Sequence, residues 1–194
     1  MKIEGTMLHT FAVYVENKPG VLNRVASLFR RRAYNIESLT VGHTEKPGVS
    51  RMTIVVDTDE FGARRLEAHL YKLVNVLYVD DLSATPAVSR DLAMIKVSAN
   101  IENRSHVLQL AHVFRARVVD VSTESVIVEI TGTEDKIDGL LEVLRPYGIL
   151  EMVRTGRVAM ARGAKAAAAT VTANGTGTLY ADEFSQPDDV SYSV

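Results

Sequence analysis

The residues best suited to chemistry form a short Asn-Lys-Pro-Gly loop, residues 17–20, directly before an amphipathic run. Pro19 fixes its own φ, and Gly20 lacks a Cβ, so the backbone can come close to a bound molecule where a helix begins. Backbone N–H groups and the positive end of the helix dipole attract anions at such a position. The loop therefore predicts a site for a small carboxylate that needs no catalytic side chain, although Pro-Gly is also typical of an ordinary helix start.

Metal and thiol chemistry find no support in the sequence. The chain has no cysteine, which excludes disulfides, thiolate metal ligands and thiol nucleophiles. No two of its five histidines stand three or four residues apart, the spacing that lets one helix present two ligands to a metal. His106 and His112 are six residues apart and fall on different faces of a predicted helix. We therefore predict no metal site.

The clustered carboxylates have structural explanations. Asp57, Asp59 and Glu60 lie where a strand gives way to a helix, and we interpret them as an N-cap and first-turn acids. Asp80 and Asp81 are adjacent on a strand, so their side chains point to opposite faces and cannot share a substrate. The sequence also lacks a phosphate loop, a dinucleotide fingerprint and a serine-nucleophile elbow. We predict no catalytic residue.

Composition restricts the partners. There are 22 basic and 24 acidic residues, a formal net charge of −2, so nothing favours nucleic acid as a partner. The basic run at residues 30–32 closes a predicted helix, where cations complement the dipole. No segment approaches the roughly 20 apolar residues that cross a bilayer, and the first ten residues lack an apolar signal core. We expect a cytoplasmic protein that is not bound to membranes.

Hydrophobic periodicity predicts the elements that position the loop. In the first half they follow the order βαββαβ, with two helices able to cover one face of an antiparallel sheet of order 4-1-3-2. In this half, strands are predicted at 8–15, 34–42, 51–57 and 76–82, and helices at 20–32 and 60–72.

The same order returns in the second half of the chain. Here strands are predicted at 91–99, 118–122, 125–132 and 150–160, and helices at 104–115 and 134–144. The fold class predicted is α+β, with two tandem ferredoxin-like βαββαβ domains whose antiparallel sheets carry helices on one face.

An internal alignment supports the duplication. Residues 16–22, ENKPGVL, match residues 102–108, ENRSHVL. Where the first copy has Pro19-Gly20, the second has Ser105-His106, whose side chains stand where a ligand would need close approach to the backbone. The first copy is therefore the candidate ligand site, and the second is interpreted as structural or docking.

Composition also divides the chain into segments. We predict a first domain over residues 7–83, a linker over 84–90 rich in small residues, and a second domain over 91–163. Residues 164–194 are small and polar with few large apolar side chains, which is typical of a mobile tail.

The sequence also resembles a known family. NKPGVLNRV, a basic helix end and then YNIESLTVG occur together at the spacing found in the ACT domain of the small regulatory subunit of acetohydroxyacid synthase, also called acetolactate synthase. The resemblance covers residues 7–163, and GRVAMARG at 156–163 resembles the closing segment of that family.

The resemblance implies a non-catalytic subunit. It would bind and activate the catalytic large subunit and transmit feedback inhibition by valine in branched-chain amino-acid synthesis. Thiamine diphosphate, magnesium and FAD would belong to the catalytic partner, and this chain would hold no cofactor. ACT domains of this family pair as homodimers through the edge strand that begins at Asn35 and Ile36.

The same resemblance implies a valine site shared between two chains. One chain would contribute Asn17, Gly20, Val21 and Leu22, and Asn35 and Ile36 of the other would close the pocket. From the residues alone, we would interpret Asn35 as an ordinary strand-entry residue.

Two other functions stay open at this point. A free-standing ACT-domain amino-acid sensor shares the fold and would differ in its partner. A small hydrolase of the acylphosphatase type also shares it, and Asn17, Gly20 and Arg24 partly imitate the loop such an enzyme needs, but fold alone carries no function.

Overall fold

The computed structural model describes residues 6–163. Two βαββαβ units follow each other in this part of the chain, and a short strand comes last. The predicted fold class, α+β with two ferredoxin-like units, is confirmed.

The first unit contains β1 Met7–Glu16, α1 Val21–Arg31, β2 Ile36–His43, β3 Val49–Thr58, α2 Glu60–Leu70 and β4 Val76–Asp81. The second contains β5 Ala87–Ser98, α3 Arg104–Val113, β6 Arg117–Val121, β7 Ser125–Gly132, α4 Glu134–Leu144, a 3₁₀ turn Arg145–Tyr147, β8 Ile149–Arg154 and β9 Val158–Ala161.

The first sheet has the strand order β2-β3-β1-β4 and is antiparallel throughout, as predicted. Alternate β1 residues Phe11, Val13 and Val15 are fully buried, because they point to the face that the two helices cover. Helix α1 buries one stripe of its surface against this face, namely Val21, Val25, Leu28 and Phe29. This packing fixes the direction in which α1 leaves the Pro-Gly loop.

Helix α2 begins with the cap that the sequence predicts. The Asp59 carboxylate accepts a hydrogen bond of 2.6 Å from the backbone N–H of Gly62, and Glu60 supplies an acid in the first turn. The cluster of acids at this junction therefore has a structural role.

The second sheet repeats the topology, with the order β6-β7-β5-β8. Its core is a separate cluster on the helix side of the sheet, formed around Ile95, Val97, Val128, Ile130 and Leu140. Each unit therefore buries its own apolar core, as the internal duplication predicts.

The junction between the units differs from the sequence prediction. Residues 87–90, expected in a linker, belong to β5 and pair with β9, with Ala87 opposite Ala161 and Arg90 opposite Val158. The strand expected over 150–160 is two strands, β8 and β9, separated by residues 155–157. Strand β9 packs on the face of the first sheet that the helices leave open, where Ala159 contacts Ala12 and Leu82.

The predicted tail, residues 164–194, lies outside the described residues. Within residues 6–163, none of the helices has the length and apolar character needed to span a bilayer.

Candidate functional site

The Pro-Gly loop is a compact turn held mainly by its own backbone. Asn17 N–H donates to the Gly48 carbonyl at 2.8 Å, and Lys18 N–H donates to the Glu16 carbonyl at 2.9 Å. Gly20 then adopts φ 81° and ψ −4°, a left-handed conformation that favours glycine. A Cβ built on Gly20 would meet no atom within 4 Å, so glycine is required here by the backbone angle and the space above it is open.

Helix α1 starts at this turn without a cap of its own. In the part of the chain that the structure describes, no side chain hydrogen-bonds to its first turn, and that turn contains no acidic residue. The Val21 N–H makes only a long contact, 3.4 Å, with the Lys18 carbonyl. The positive end of the helix therefore faces solvent beside an exposed Gly20 and a Leu22 side chain that is 44% exposed.

A polar network that sequence reasoning did not predict fixes the loop from below. Asn75, only 7% exposed, accepts a hydrogen bond from the Arg24 guanidinium and donates one of 2.5 Å to the Glu16 carboxylate. The Asn75 carbonyl accepts from Glu16 N–H at 2.9 Å. Asn75 therefore ties the end of β1 to α1 and to the start of β4. Sequence patterns could not reveal this, since Asn75 is more than fifty residues from Glu16 and Arg24 along the chain.

The electrostatics of this network favour an ionised Glu16. The hydrogen bond from Asn75, followed by that from Lys18, lowers the pKa of the Glu16 carboxyl below its ordinary value. Lys18 Nζ lies 3.1 Å from the Glu16 carboxylate, and Arg24 is bound to Asn75. Arg24 is thus held by the protein, which removes it from the role a hydrolase would require of its arginine.

The predicted site residues form two groups that lie far apart within one chain. Asn17, Gly20, Val21 and Leu22 share the loop that follows Glu16. Ile36 pairs with Val56, and Val56 also pairs with His9. The start of β2 is therefore level with the first residues of β1, at the end of the strand that lies away from the loop. Seven residues of strand separate His9 from Glu16, roughly 20 Å at about 3.3 Å per residue. A single chain therefore does not bring Asn35 and Ile36 to the loop.

The equivalent loop of the second unit is closed. Helix α3 begins at Arg104, three aligned positions earlier than α1, because His106 replaces Gly20 and the helix continues through that position. The Arg104 guanidinium donates to the carbonyls of Ser122 and Thr123 at 2.8 and 2.6 Å. The second unit thus occupies its loop with its own side chain.

No metal centre is present in the described range. Among residues 6–163, no three histidine, cysteine or acidic side chains lie close enough to hold one ion. The Asp81 carboxylate accepts from Nδ1 of the buried His9 at 3.0 Å and from the Ser83 N–H at 3.0 Å. These contacts hold the end of β4 against β1, which gives His9 a structural role.

Comparison with known proteins gives one family over both units. The family described as "AHAS small subunit-like ACT domain" matches residues 11–78, and the family described as "Small subunit of acetolactate synthase" matches residues 90–163. The first match contains both groups of predicted site residues.

Individual relatives agree with these matches. The probable acetolactate synthase small subunit of Archaeoglobus fulgidus is 52% identical over 159 residues, which cover 82% of this chain and 99% of the relative. The acetolactate synthase small subunit of Mycolicibacterium smegmatis is 49% identical over 159 residues, 82% of this chain and 94% of the relative. A crystal structure of the Thermotoga maritima small subunit aligns with a TM-score of 0.77 at 40% identity, covering 81% of this chain and 99% of that one.

Proposed function

Because the chain belongs to the acetolactate synthase small-subunit family, we propose that it activates the catalytic subunit of that enzyme and makes it sensitive to inhibition by valine. The chain is the regulatory ACT-domain subunit, not the catalytic one. The observation that supports the proposal is the uncapped and open start of α1 at Gly20, inside the matched ACT region, because helix N–H groups at such a position attract an anion.

Valine fits the chemistry of this position. Its carboxylate would bind the N–H groups around Gly20, Val21 and Leu22, which face the positive end of the α1 dipole. The side-chain oxygen of Asn17 is exposed at the start of the loop and would accept from the ammonium group. The small branched side chain would pack against the exposed part of Leu22.

A second chain completes the pocket in this proposal. Strand β2 is an edge of its sheet, and a two-fold axis across that edge would pair it antiparallel with β2 of a second copy. The start of one β2 then lies beside the end of the other. The end, His43, pairs with Ser50 and is level with Val15 near the loop. Asn35 and Ile36 of one chain would thereby reach the loop of its partner.

The expected affinity is modest. Interactions with a helix end contribute about 0.3–1 kcal/mol, and burial of a CH₂ group contributes about 0.8 kcal/mol. The ordering of two chains and of the ligand opposes these terms. A site of this kind suits the sensing of a metabolite pool.

Cofactor chemistry belongs to the partner in this account. Thiamine diphosphate, magnesium and FAD would be held by the catalytic subunit, and we assign no residue of this chain to them.

Co-purification tests the proposal. The full chain, mixed with its cognate catalytic subunit, should form a complex whose acetolactate synthase activity exceeds that of the catalytic subunit alone. A chain that binds valine but neither binds nor activates that subunit would instead be a free-standing amino-acid sensor, and the proposed function would be wrong.

A further inference from the structure

The segment that joins β8 to β9, residues 155–157, is bound directly to edge strand β2. We call this segment the connector. Arg157 N–H donates to Ser38 Oγ at 2.8 Å. Thr40 Oγ1 lies 3.3 Å from the Thr155 carbonyl and 3.1 Å from the Arg157 carbonyl, to which it donates. The connector thus runs along β2 and hydrogen-bonds to the side chains of Ser38 and Thr40, which point away from the helices of the first unit.

Gly156 makes this close approach possible. It has φ 86°, and a Cβ at that position would stand 2.6 Å from Ser38 Oγ. A larger side chain here would displace the Ser38 hydroxyl and so disturb its hydrogen bond with the Arg157 N–H. The contact therefore depends on glycine for both its backbone angle and its space.

Two arginines attach the connector to the second unit. Arg157 donates to Glu134 of α4 at 2.9 Å and to Thr10 of β1 at 3.1 Å, so one guanidinium bridges the units. Arg154, just before the connector, contacts Asp91 at 2.6 Å and Asp138 at 3.1 Å. Burial alone would lower the pKa of Arg154, but the hydrogen bond to Asp91 and the nearby acids raise it. Both guanidiniums are thus paired with acidic side chains.

The connector is not part of either apolar core. It lies beside a cleft of about 410 Å³ between the units, with Leu8 and Val55 on the first unit and Glu134 on the second. The residues of the connector are absent from both core clusters. A shift of the connector can therefore change the contacts between the units without unpacking either core.

We propose that the connector transmits the effect of valine from the β2 edge to the second unit. The inference rests on the proposed function, because it takes valine to act at the β2 edge. Valine binding and chain pairing both change the surroundings of β2, and Ser38 and Thr40 pass the change to the connector. Arg157 then alters its contacts with Glu134, and α4 moves with it. Gly156 and Thr40 are positioning residues that do not touch the ligand.

Valine titration of the reconstituted holoenzyme tests this inference with two variants and one control. Gly156→Ala places a methyl group against Ser38, and Thr40→Val keeps the side-chain shape but removes the hydrogen bonds to the connector. Gly163→Ala is the matched control, because Gly163 also has a positive φ, 83°, but a Cβ there meets no atom within 4 Å.

We expect both connector variants to raise the valine concentration for half-inhibition by about tenfold, a typical loss of allosteric coupling. Their activation of the catalytic subunit without valine, and the valine Kd of the isolated full chain, should match those of the wild type and of Gly163→Ala. If Gly156→Ala does not fold, Thr40→Val decides the result.

Two results would overturn the inference while leaving the proposed function intact. One is wild-type valine inhibition in the connector variants. The other is loss of valine binding by the isolated Thr40→Val chain, which would place the connector in the binding site itself. A wild-type complex that valine does not inhibit would instead refute the proposed function.

Discussion

The hydroxyl of Tyr71 makes two hydrogen bonds with the backbone of Val79. It accepts from the Val79 N–H at 3.0 Å and donates to the Val79 carbonyl at 3.1 Å. Val79 lies on β4, one of the two edge strands of the first sheet. The side chain thus occupies backbone groups that a strand from another chain would need. This leaves β2 as the better edge for pairing between chains.

Removing the Tyr71 hydroxyl should destabilise the first unit. Tyr71→Phe leaves both Val79 backbone groups without this partner, and we expect a loss of about 1–2 kcal/mol in the free energy of unfolding. Urea denaturation measures it. Tyr78→Phe is the control, since within residues 6–163 the Tyr78 hydroxyl makes no hydrogen bond with another group. Equal stability of the two variants would show that the contact with Val79 contributes nothing.

Pairing through β2 predicts that valine strengthens the dimer. A ligand that binds only the paired state shifts the equilibrium toward it by mass action. Ile36→Asp places a charge at the start of the edge strand and should weaken both dimerisation and valine affinity, although the loop is unchanged. Sedimentation of the isolated chain over a range of valine concentrations gives both quantities.

Ile101→Asp is the control for that experiment, because Ile101 is an exposed isoleucine of the second unit. Circular dichroism must show that Ile36→Asp is folded, since Ile36 also packs against the first core. Tight valine binding by a chain that sediments as a monomer would rule out the shared site.

The loop itself is tested by two substitutions of Gly20. Gly20→Asp places a carboxylate where that of valine would bind, so valine inhibition should be lost while activation of the catalytic subunit is kept. Gly20→Ala also places a Cβ on this left-handed backbone, at a cost of about 1–2 kcal/mol, but it adds no charge and its Cβ meets no protein atom within 4 Å. We expect Gly20→Ala to weaken valine inhibition less than Gly20→Asp does, because its methyl group narrows the approach to the backbone but does not repel a carboxylate. Unchanged inhibition in Gly20→Asp would place the ligand elsewhere.

The Asp80 carboxyl predicts how the stability of the first unit depends on pH. Burial, followed by the neighbouring Asp81, raises the pKa of the Asp80 carboxyl, and Arg51 opposes this only in part. An acid whose pKa is higher in the folded state destabilises the fold once it is ionised, so its penalty is present at neutral pH and disappears on acidification.

Asp80→Asn should therefore melt at a slightly higher temperature than the wild type at neutral pH. The difference should shrink as the pH is lowered toward the ordinary aspartate pKa of 3.8. Asp120→Asn on the exposed strand β6 is the control. A lower melting temperature of Asp80→Asn at neutral pH would mean that attraction to Arg51 outweighs burial.

Local patterns in the sequence predicted much of this structure. The alternation of Phe11, Val13 and Val15 predicted β1, and the acids around Asp59 predicted the cap of α2, because both depend on neighbours a few residues away. Gly20 was predicted as the first residue of a helix, whereas it precedes α1 in a left-handed conformation.

Contacts between distant parts of the chain were not predictable from these patterns. Residues 87–90 were predicted as part of a linker rich in small residues, yet they form a strand once β9 returns to pair with them. The segment between β8 and β9 hydrogen-bonds to Ser38 and Thr40, more than a hundred residues away. The role of Asn75 likewise depends on the meeting of β1, α1 and β4 in three dimensions.

The most direct test of the proposed function is a valine titration of acetolactate synthase activity, with the catalytic subunit alone and with this chain added. We predict that valine inhibits only the complex, and that a complex made with Gly20→Asp is active but not inhibited. Equal inhibition of the catalytic subunit alone, or an activated wild-type complex that valine does not inhibit, would contradict the account.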